Sequence, residues 1–363
     1  MNLEQQRVIP VYILSGFLGS GKTTLLQQLI TYWKNQGLRP AVVMNEIGDV
    51  NLDGLLVEEQ VPMAEMLSGC ICCSIRADLS SEMSELIARE QPDVVVIEAT
   101  GAANPMEVLD AVAEVALYQK LEIMPMITVV DAPHLLELSR TQKGKTYRLM
   151  QDQIRCGSVL ILNKIDRVDH DEVDELGKQL ASWNSFAKII PAVKCQVNLS
   201  ELPQLKSDPL HLQVTRTHED DHSRAKGPYI MEDQARGLSS SDQEDSGHME
   251  EDHSHGRSHS HASHNHVTVY THYFRSPVNS ELFEQFIKDL PRDVYRGKGV
   301  LTFSDTSSRF LFQYAYRESD YMRITPQGDI PDVAVFIGEH FDKQLLASRL
   351  TQLENGGTLS GSI

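Results

Sequence analysis

No stretch of the chain approaches the ~18 consecutive apolar residues of a membrane-spanning helix, so no membrane is expected as a partner. Cysteine is scarce, with 5 in 363 residues, and three of those stand together at Cys70, Cys72 and Cys73. That distribution excludes a disulfide framework, which a chain of this size does not need. Positive charge is also short: 33 Lys and Arg face 51 Asp and Glu, for a formal net charge of −18. A protein that grips nucleic-acid phosphates needs a basic face, so no nucleic acid is expected. The acidic balance suits a soluble protein or one that attracts cations. The opening residues, MNLEQQRVIPVYILSG, lack a basic segment followed by a long apolar run, so no secretory leader is expected. With unpaired thiols, this points to a reducing, cytoplasmic setting. No internal repeat is visible.

What is present is a series of short apolar runs. VIPVYIL (8–14), PAVVMN (40–45), DVVVIE (93–98), MITVVDA (126–132), SVLILN (158–163) and KIIPAV (188–193) are rich in Val and Ile and do not alternate with polar residues. Strands of a parallel sheet covered on both faces read this way. Helix-like segments such as 22–36, 76–90, 105–118 and 170–183 lie between them. The alternation predicts an α/β doubly wound domain with a mainly parallel sheet over residues 1–211. Residues 212–266 then turn to Asp, Glu, Ser, Gly and His with few large apolar side chains. Such a segment buries too little surface to offset the entropy of ordering, and a disordered linker is expected. Over 267–353 order is expected to return. HVTVYTHYFRS, GVLTFSD, RFLFQYAYRE and DVAVFIGE read as half-buried strands, and SELFEQFIKDL and DKQLLASRLTQLEN as amphipathic helices. This predicts a small α+β domain with an antiparallel sheet, followed by a flexible tail at 354–363.

Residues 14–26, LSGFLGSGKTTLL, place Gly16, Gly21, Lys22 and Thr23 at the spacing of a phosphate loop between a strand and a helix. Glycines at 16, 19 and 21 let the backbone wrap a phosphate, and the N–H groups opening the next helix point at the anion. Lys22 is expected to reach the β- and γ-phosphates, and the Thr23 hydroxyl to hold Mg²⁺. LILNKID (160–166) ends a strand with Asn163, Lys164 and Asp166. A carboxylate at 166 can accept both Watson–Crick-edge N–H groups of guanine, a pairing adenine does not offer. The Lys164 stem can lie along the base. GTP and GDP are the expected ligands.

DVVVIEATG (93–101) ends its strand in Glu98, an acid placed to support Mg²⁺ directly or through water. NEIGDVNLDG (45–54) is a polar run where a nucleotide-sensing switch would lie. Its acids Glu46, Asp49 and Asp53 could bind metal or place water, or cap turns, with Glu46 preferred. Catalysis is thus expected from Lys22, Thr23, Glu98 and Glu46. Between this run and Glu98 stands SGCICCSI. In an extended segment Cys70 and Cys72 face one way and Cys73 the other. Thiolates favour Zn²⁺ and accept Co²⁺, with Glu46, a histidine or water completing the site. The alternatives are small packed hydrophobes and a redox pair at Cys70 and Cys73, though no thioredoxin-like pattern surrounds them.

GFLGSGKTTLL, NEIGDVNLDG, SGCICCSI, VVIEATG and LNKID, in this order, resemble the CobW family of metal-handling P-loop GTPases. RGKG (296–299), FLFQY (310–314) and VFIG (335–338) are similar to that family's C-terminal domain. The resemblance implies slow GTP hydrolysis and a transition metal, Zn²⁺ or Co²⁺, bound at Cys70, Cys72 and Cys73 and handed to a client metalloprotein. It also implies a phosphate loop running from Gly16 through Ser20 to Thr24. The family's N-E-F-G-E reads N-E-I-G-D here, with Glu46 kept and Asp49 shortened. Seven of the 14 histidines fall within 248–266. Of these, His253, His255, His259, His261, His264 and His266 are candidates for weak metal capture; the alternative is a solvated linker. Two rivals stand beside a GTP-dependent metallochaperone: a metal buffer working through the histidine run with nucleotide only regulatory, and a signalling GTPase with a structural zinc. A homodimer is left open.

Overall fold

The computed structural model describes residues 7–44, 61–65, 74–141, 144–201, 267–315, 317–326 and 330–356. Among them, eight strands form one parallel sheet: β1 (Ile9–Gly16), β2 (Pro40–Met44), β3 (Met63–Glu65), β4 (Val94–Glu98), β5 (Leu121–Ile123), β6 (Ile127–Asp131), β7 (Val159–Asn163) and β8 (Lys188–Ala192). The order is β3-β2-β4-β1-β6-β7-β8, and β5 pairs with the first half of β1. The helices are α1 (Lys22–Asn35), α2 (Ser74–Glu90), α3 (Pro105–Val115), α4 (Ala132–Thr141), α5 (Lys145–Cys156) and α6 (His170–Trp183). Strand order turns around β1, so its carboxyl end opens onto the crevice where such sheets bind ligands.

The unbroken apolar runs have a direct cause. Side chains alternate across a strand, and here both faces are covered. In β1, Tyr12 and Leu14 pack with Leu25, Leu26, Leu29 and Trp33 of α1. Val11 and Ile13 point the other way, into a core with Leu79 and Met83 of α2 and Val108 and Val112 of α3. Leu160 and Leu162 of β7 meet Leu135, Met150, Ile154 and Leu176 from α4, α5 and α6.

Five further strands, β9 (Val267–Tyr273), β10 (Val294–Thr302), β11 (Arg309–Ala315), β12 (Glu318–Ile324) and β13 (Val333–Glu339), make an antiparallel sheet in the order β12-β11-β10-β13-β9. Two helices, α7 (Ser280–Lys288) and α8 (Lys343–Glu354), cover one face. There Phe283, Phe286, Leu346 and Leu350 pack against Phe312 and Phe336. The opposite face, with Val300, Val333, Val335 and Ile337, joins the core of α2 and α3. Helix α3 therefore lies between two sheets, and PMEVLDAVAEV is buried nearly all round, as a helix with no solvent face must be.

The apolar runs mark β1, β2, β4, β6, β7 and β8 to within two residues. Two three-residue strands, β3 and β5, and helices α4 and α5 stand where no element is expected. RFLFQYAYRE, one run in the sequence, contributes to two strands, β11 and β12. The segment 212–266 and the final residues 357–363 lie outside the described residues. Among the described residues no helix is long and apolar enough to cross a membrane.

Candidate nucleotide site

Strand β1 ends on Gly16, whose φ is 134°. A Cβ there would stand 2.2 Å from the Val129 carbonyl oxygen of β6, so only glycine lets the loop leave the sheet at this point. Gly21 has φ 113°, and a Cβ on it would meet Asn163 Nδ2 at 2.5 Å and Cys195 Sγ at 2.9 Å. Helix α1 starts at the next residue with no side-chain cap. Its first N–H groups have no partner within the helix and are suited to an anion. Lys22 is 6% exposed and donates from Nζ to the carbonyls of Gly16 at 2.8 Å and Phe17 at 2.9 Å. Its ammonium thus lies across the loop. Ser20 is fully buried with its Oγ unpartnered among the described residues, and Thr24 is exposed.

Thr23 Oγ1 donates to Glu98 Oε1 at 2.9 Å. Glu98 Oε2 is buried and has no hydrogen-bond partner among the described residues. A hydroxyl and a carboxylate beside a phosphate loop are the hard oxygens Mg²⁺ takes, so the residues fit that ion. Burial pushes the Glu98 carboxyl above the usual carboxylate range, against the opposing pull of the Thr23 hydrogen bond and the Lys22 charge. The loop after Glu98 presses on the phosphate loop, because a Cβ on Gly101 would fall 2.4 Å from Leu18 N. The buried amide of Gln153, on α5, donates to the carbonyls of Gly101 at 3.2 Å and Ala103 at 3.4 Å.

The strand ends of β6 and β7 pair Asp131 with Asn163. Asn163 is 2% exposed. Its Nδ2 donates to Ser20 O at 2.7 Å, and its Oδ1 accepts from Cys195 N at 2.8 Å. One side chain thus joins the phosphate loop, the end of β7 and the loop after β8. Lys164 takes a left-handed turn at φ 62°, and its ammonium pairs with Asp131 Oδ2 at 2.6 Å. Asp166 stands exposed in the short 3-10 turn Ile165–Arg167. Cys195 is buried, and desolvation pushes its thiol up to about 12; it is a packed group with no thiolate character.

The structure therefore brings Gly16, Gly19, Ser20, Gly21, Lys22, Thr23 and Glu98 to the same edge of the sheet as Asn163, Lys164 and Asp166. Sequence reasoning missed three participants: Asp131, Gln153 and Cys195. Asp131 had a readable signal, since Asp followed by Ala-Pro marks a helix start. Its Oδ1 accepts from His134 N at 3.0 Å in the first turn of α4. Gln153 and Cys195 act through distant chain and carry no local signal. Glu46, Asp49, Asp53, Cys70, Cys72, Cys73, His253, His255, His259, His261, His264 and His266 lie outside the described residues. Among the described residues no three His, Cys, Asp or Glu side chains converge as a metal centre.

Residues 10–191 match the model of the CobW/HypB/UreG nucleotide-binding domain. The chain belongs to that family. Residues 267–354 match the cobalamin synthesis protein CobW C-terminal domain. A relative from Dictyostelium discoideum, zinc-regulated GTPase metalloprotein activator 1, is 31% identical over 232 residues, covering 53% of this chain and 48% of its own. The zinc chaperone CobW of Pseudomonas aeruginosa is 29% identical over 242 residues, covering 58% of this chain and 64% of its own. The chain thus spans about half to two thirds of the length of these relatives. Among solved structures, the Zn(II)-bound YjiA GTPase from E. coli aligns with a TM-score of 0.42 at 21% identity, over 97% of this chain and 99% of that one.

Proposed function

We propose that this CobW/HypB/UreG-family chain is a GTPase that couples GTP hydrolysis to the handling of a transition metal, Zn²⁺ in the first place and Co²⁺ in the second, and passes the ion to a client metalloprotein. The observation that carries the nucleotide half is the double hydrogen bond of Asn163, which fixes the turn bearing Lys164 and Asp166 against Ser20 of the phosphate loop. In this reading the amides from Gly16 to Thr24 and the Lys22 ammonium bind the phosphates. The Asp166 carboxylate selects guanine, and Lys164 covers the base. Thr23 and Glu98 would hold Mg²⁺, which would supply neutralising charge to the bound phosphates.

The metal half rests on placement and chemistry. Met44, Glu65 and Glu98 are register partners at the ends of β2, β3 and β4, and Glu46, Cys70, Cys72 and Cys73 follow the first two of these strand ends in the sequence. Thiolates at C-x-C-C spacing suit Zn²⁺, and the names of the two curated relatives favour zinc. The histidines from His253 to His266 gather the ion weakly. Binding of metal and of the third phosphate are then linked, and each changes the affinity of the other by the same factor.

Competitive titration of Zn²⁺ and Co²⁺ with Mg²⁺ and either a non-hydrolysable GTP analogue or GDP tests the coupling. The expected result is metal affinity that differs at least about fivefold between the two nucleotides and is lost in Cys72→Ala. Equal affinity in both states overturns the coupling, and retention of tight binding in Cys72→Ala overturns the site.

A further inference from the structure

Asp131 sits at the carboxyl end of β6, nine-tenths buried, with each carboxylate oxygen already engaged. Oδ1 accepts from His134 N, as an N-cap does for a helix. Oδ2 accepts from the Lys164 ammonium at 2.6 Å. Lys164 has reason to need that partner. Its backbone is left-handed at φ 62°, a conformation a β-carbon disfavours. Its side chain is three-quarters buried, at 26% exposure. A long flexible stem with a strongly hydrated head takes up many rotamers unless the head is fixed. Phosphates bound in the neighbouring loop would also draw a loose ammonium away from the base. Asp131 removes both freedoms at once, and α4, which it caps, holds Asp131 itself in place.

We infer that Asp131 is a positioning residue for base recognition: it anchors the Lys164 ammonium so that the lysine stem forms a fixed wall for the purine face. This rests on the nucleotide reading above. Phosphate binding, carried by Gly16 to Thr24, does not pass through Asp131, so base-dependent and phosphate-dependent affinity should separate.

Asp131→Asn and Asp131→Ser keep a capping oxygen for α4 and remove the charge facing Lys164. In the full chain, binding of GDP and ADP is measured directly, and inorganic pyrophosphate as a competitor. Both variants should weaken GDP about tenfold, the scale of one charge-assisted hydrogen bond, and leave the pyrophosphate inhibition constant at the wild-type value. Adding Asp131→Asn to Lys164→Met should cost nothing further, because the two side chains act as one unit. Unchanged GDP affinity, equal weakening of GDP and pyrophosphate, or additive losses in the double variant would each overturn the inference. Should wild type bind ADP as well as GDP, the guanine reading fails, and the Asp131–Lys164 coupling is read on ADP by the same cycle.

Discussion

Glu98 occupies a position that suits its neutral form better than its charged one. Its carboxyl is raised by burial, with Thr23 and Lys22 only partly compensating, and Oε2 has no hydrogen bond among the described residues. A group whose folded pKa lies above its unfolded value gives the native state more bound protons, so stability falls as pH rises through the folded pKa. The penalty is absent below the ordinary carboxyl value of 4.5 and fully present once the folded group has ionised. Glu98→Gln keeps an acceptor for Thr23 and removes the charge. Without nucleotide or Mg²⁺, the variant should melt at a higher temperature than wild type near neutral pH, and the difference should vanish as pH falls towards 4.5. Scanning calorimetry at several pH values reads this directly. The same variant should bind GTP more weakly in Mg²⁺, which marks the acid as kept for its site.

At the scale of elements, a second titrating group ties β9 to α8. His272 is 8% exposed. Tyr270 Oη stands 3.0 Å from its Nδ1, Glu354 Oε2 lies 3.4 Å from its Nε2, and Phe274 meets the ring edge-on at 4.7 Å. Burial lowers its pKa, Glu354 works against that, and Arg275 adds to it. The unfolded chain therefore takes up a proton below 6.5 before the folded chain does, and stability is lost as pH falls from there. His272→Gln should lose less melting temperature than wild type between about pH 7.5 and about pH 5.5, measured on the full chain. The imidazole's pairing with Glu354 is also a case of what sequence conceals, since 82 residues separate the two and neither lies in a motif. Elements were legible where physics is local. Unbroken Val and Ile runs reveal strands covered on both faces, and the glycines and Lys22 reveal a phosphate loop because the anion must be wrapped by one contiguous stretch. MAE and LEI are too short for any period to register. PMEVLDAVAEV reads as a helix, but the reason so little of it meets solvent, a second sheet on its far side, is a tertiary fact.

Helix α3 is also a place where the two sheets are joined. It begins just after the loop that carries Gly101 and is wedged between the two sheets. Its acids Asp110 and Glu114, one turn apart, face Arg296 and Lys298 of β10, with Glu114 and Lys298 at 3.7 Å. The Asp110–Arg296 pair is asymmetric: the carboxylate side chain is 5% exposed and the guanidinium side chain 36%. That asymmetry decides which partner is costly to remove. Taking away Arg296 strips a buried carboxylate of its guanidinium, and breaking a buried pair this way costs about 3 kcal/mol. Taking away Asp110 leaves a guanidinium that already reaches water, where the loss is closer to about 1 kcal/mol. Arg296→Met should therefore lower the denaturant midpoint of the full chain more than Asp110→Asn does. Combining them should recover part of the Arg296→Met loss, because the buried carboxylate charge is gone. Equal losses would mean that the difference in burial does not set the cost, and a double variant as unstable as the sum of the two would mean that the apolar contact of α3 with Val300, Val335 and Ile337 holds the sheets together without help from the ion pair.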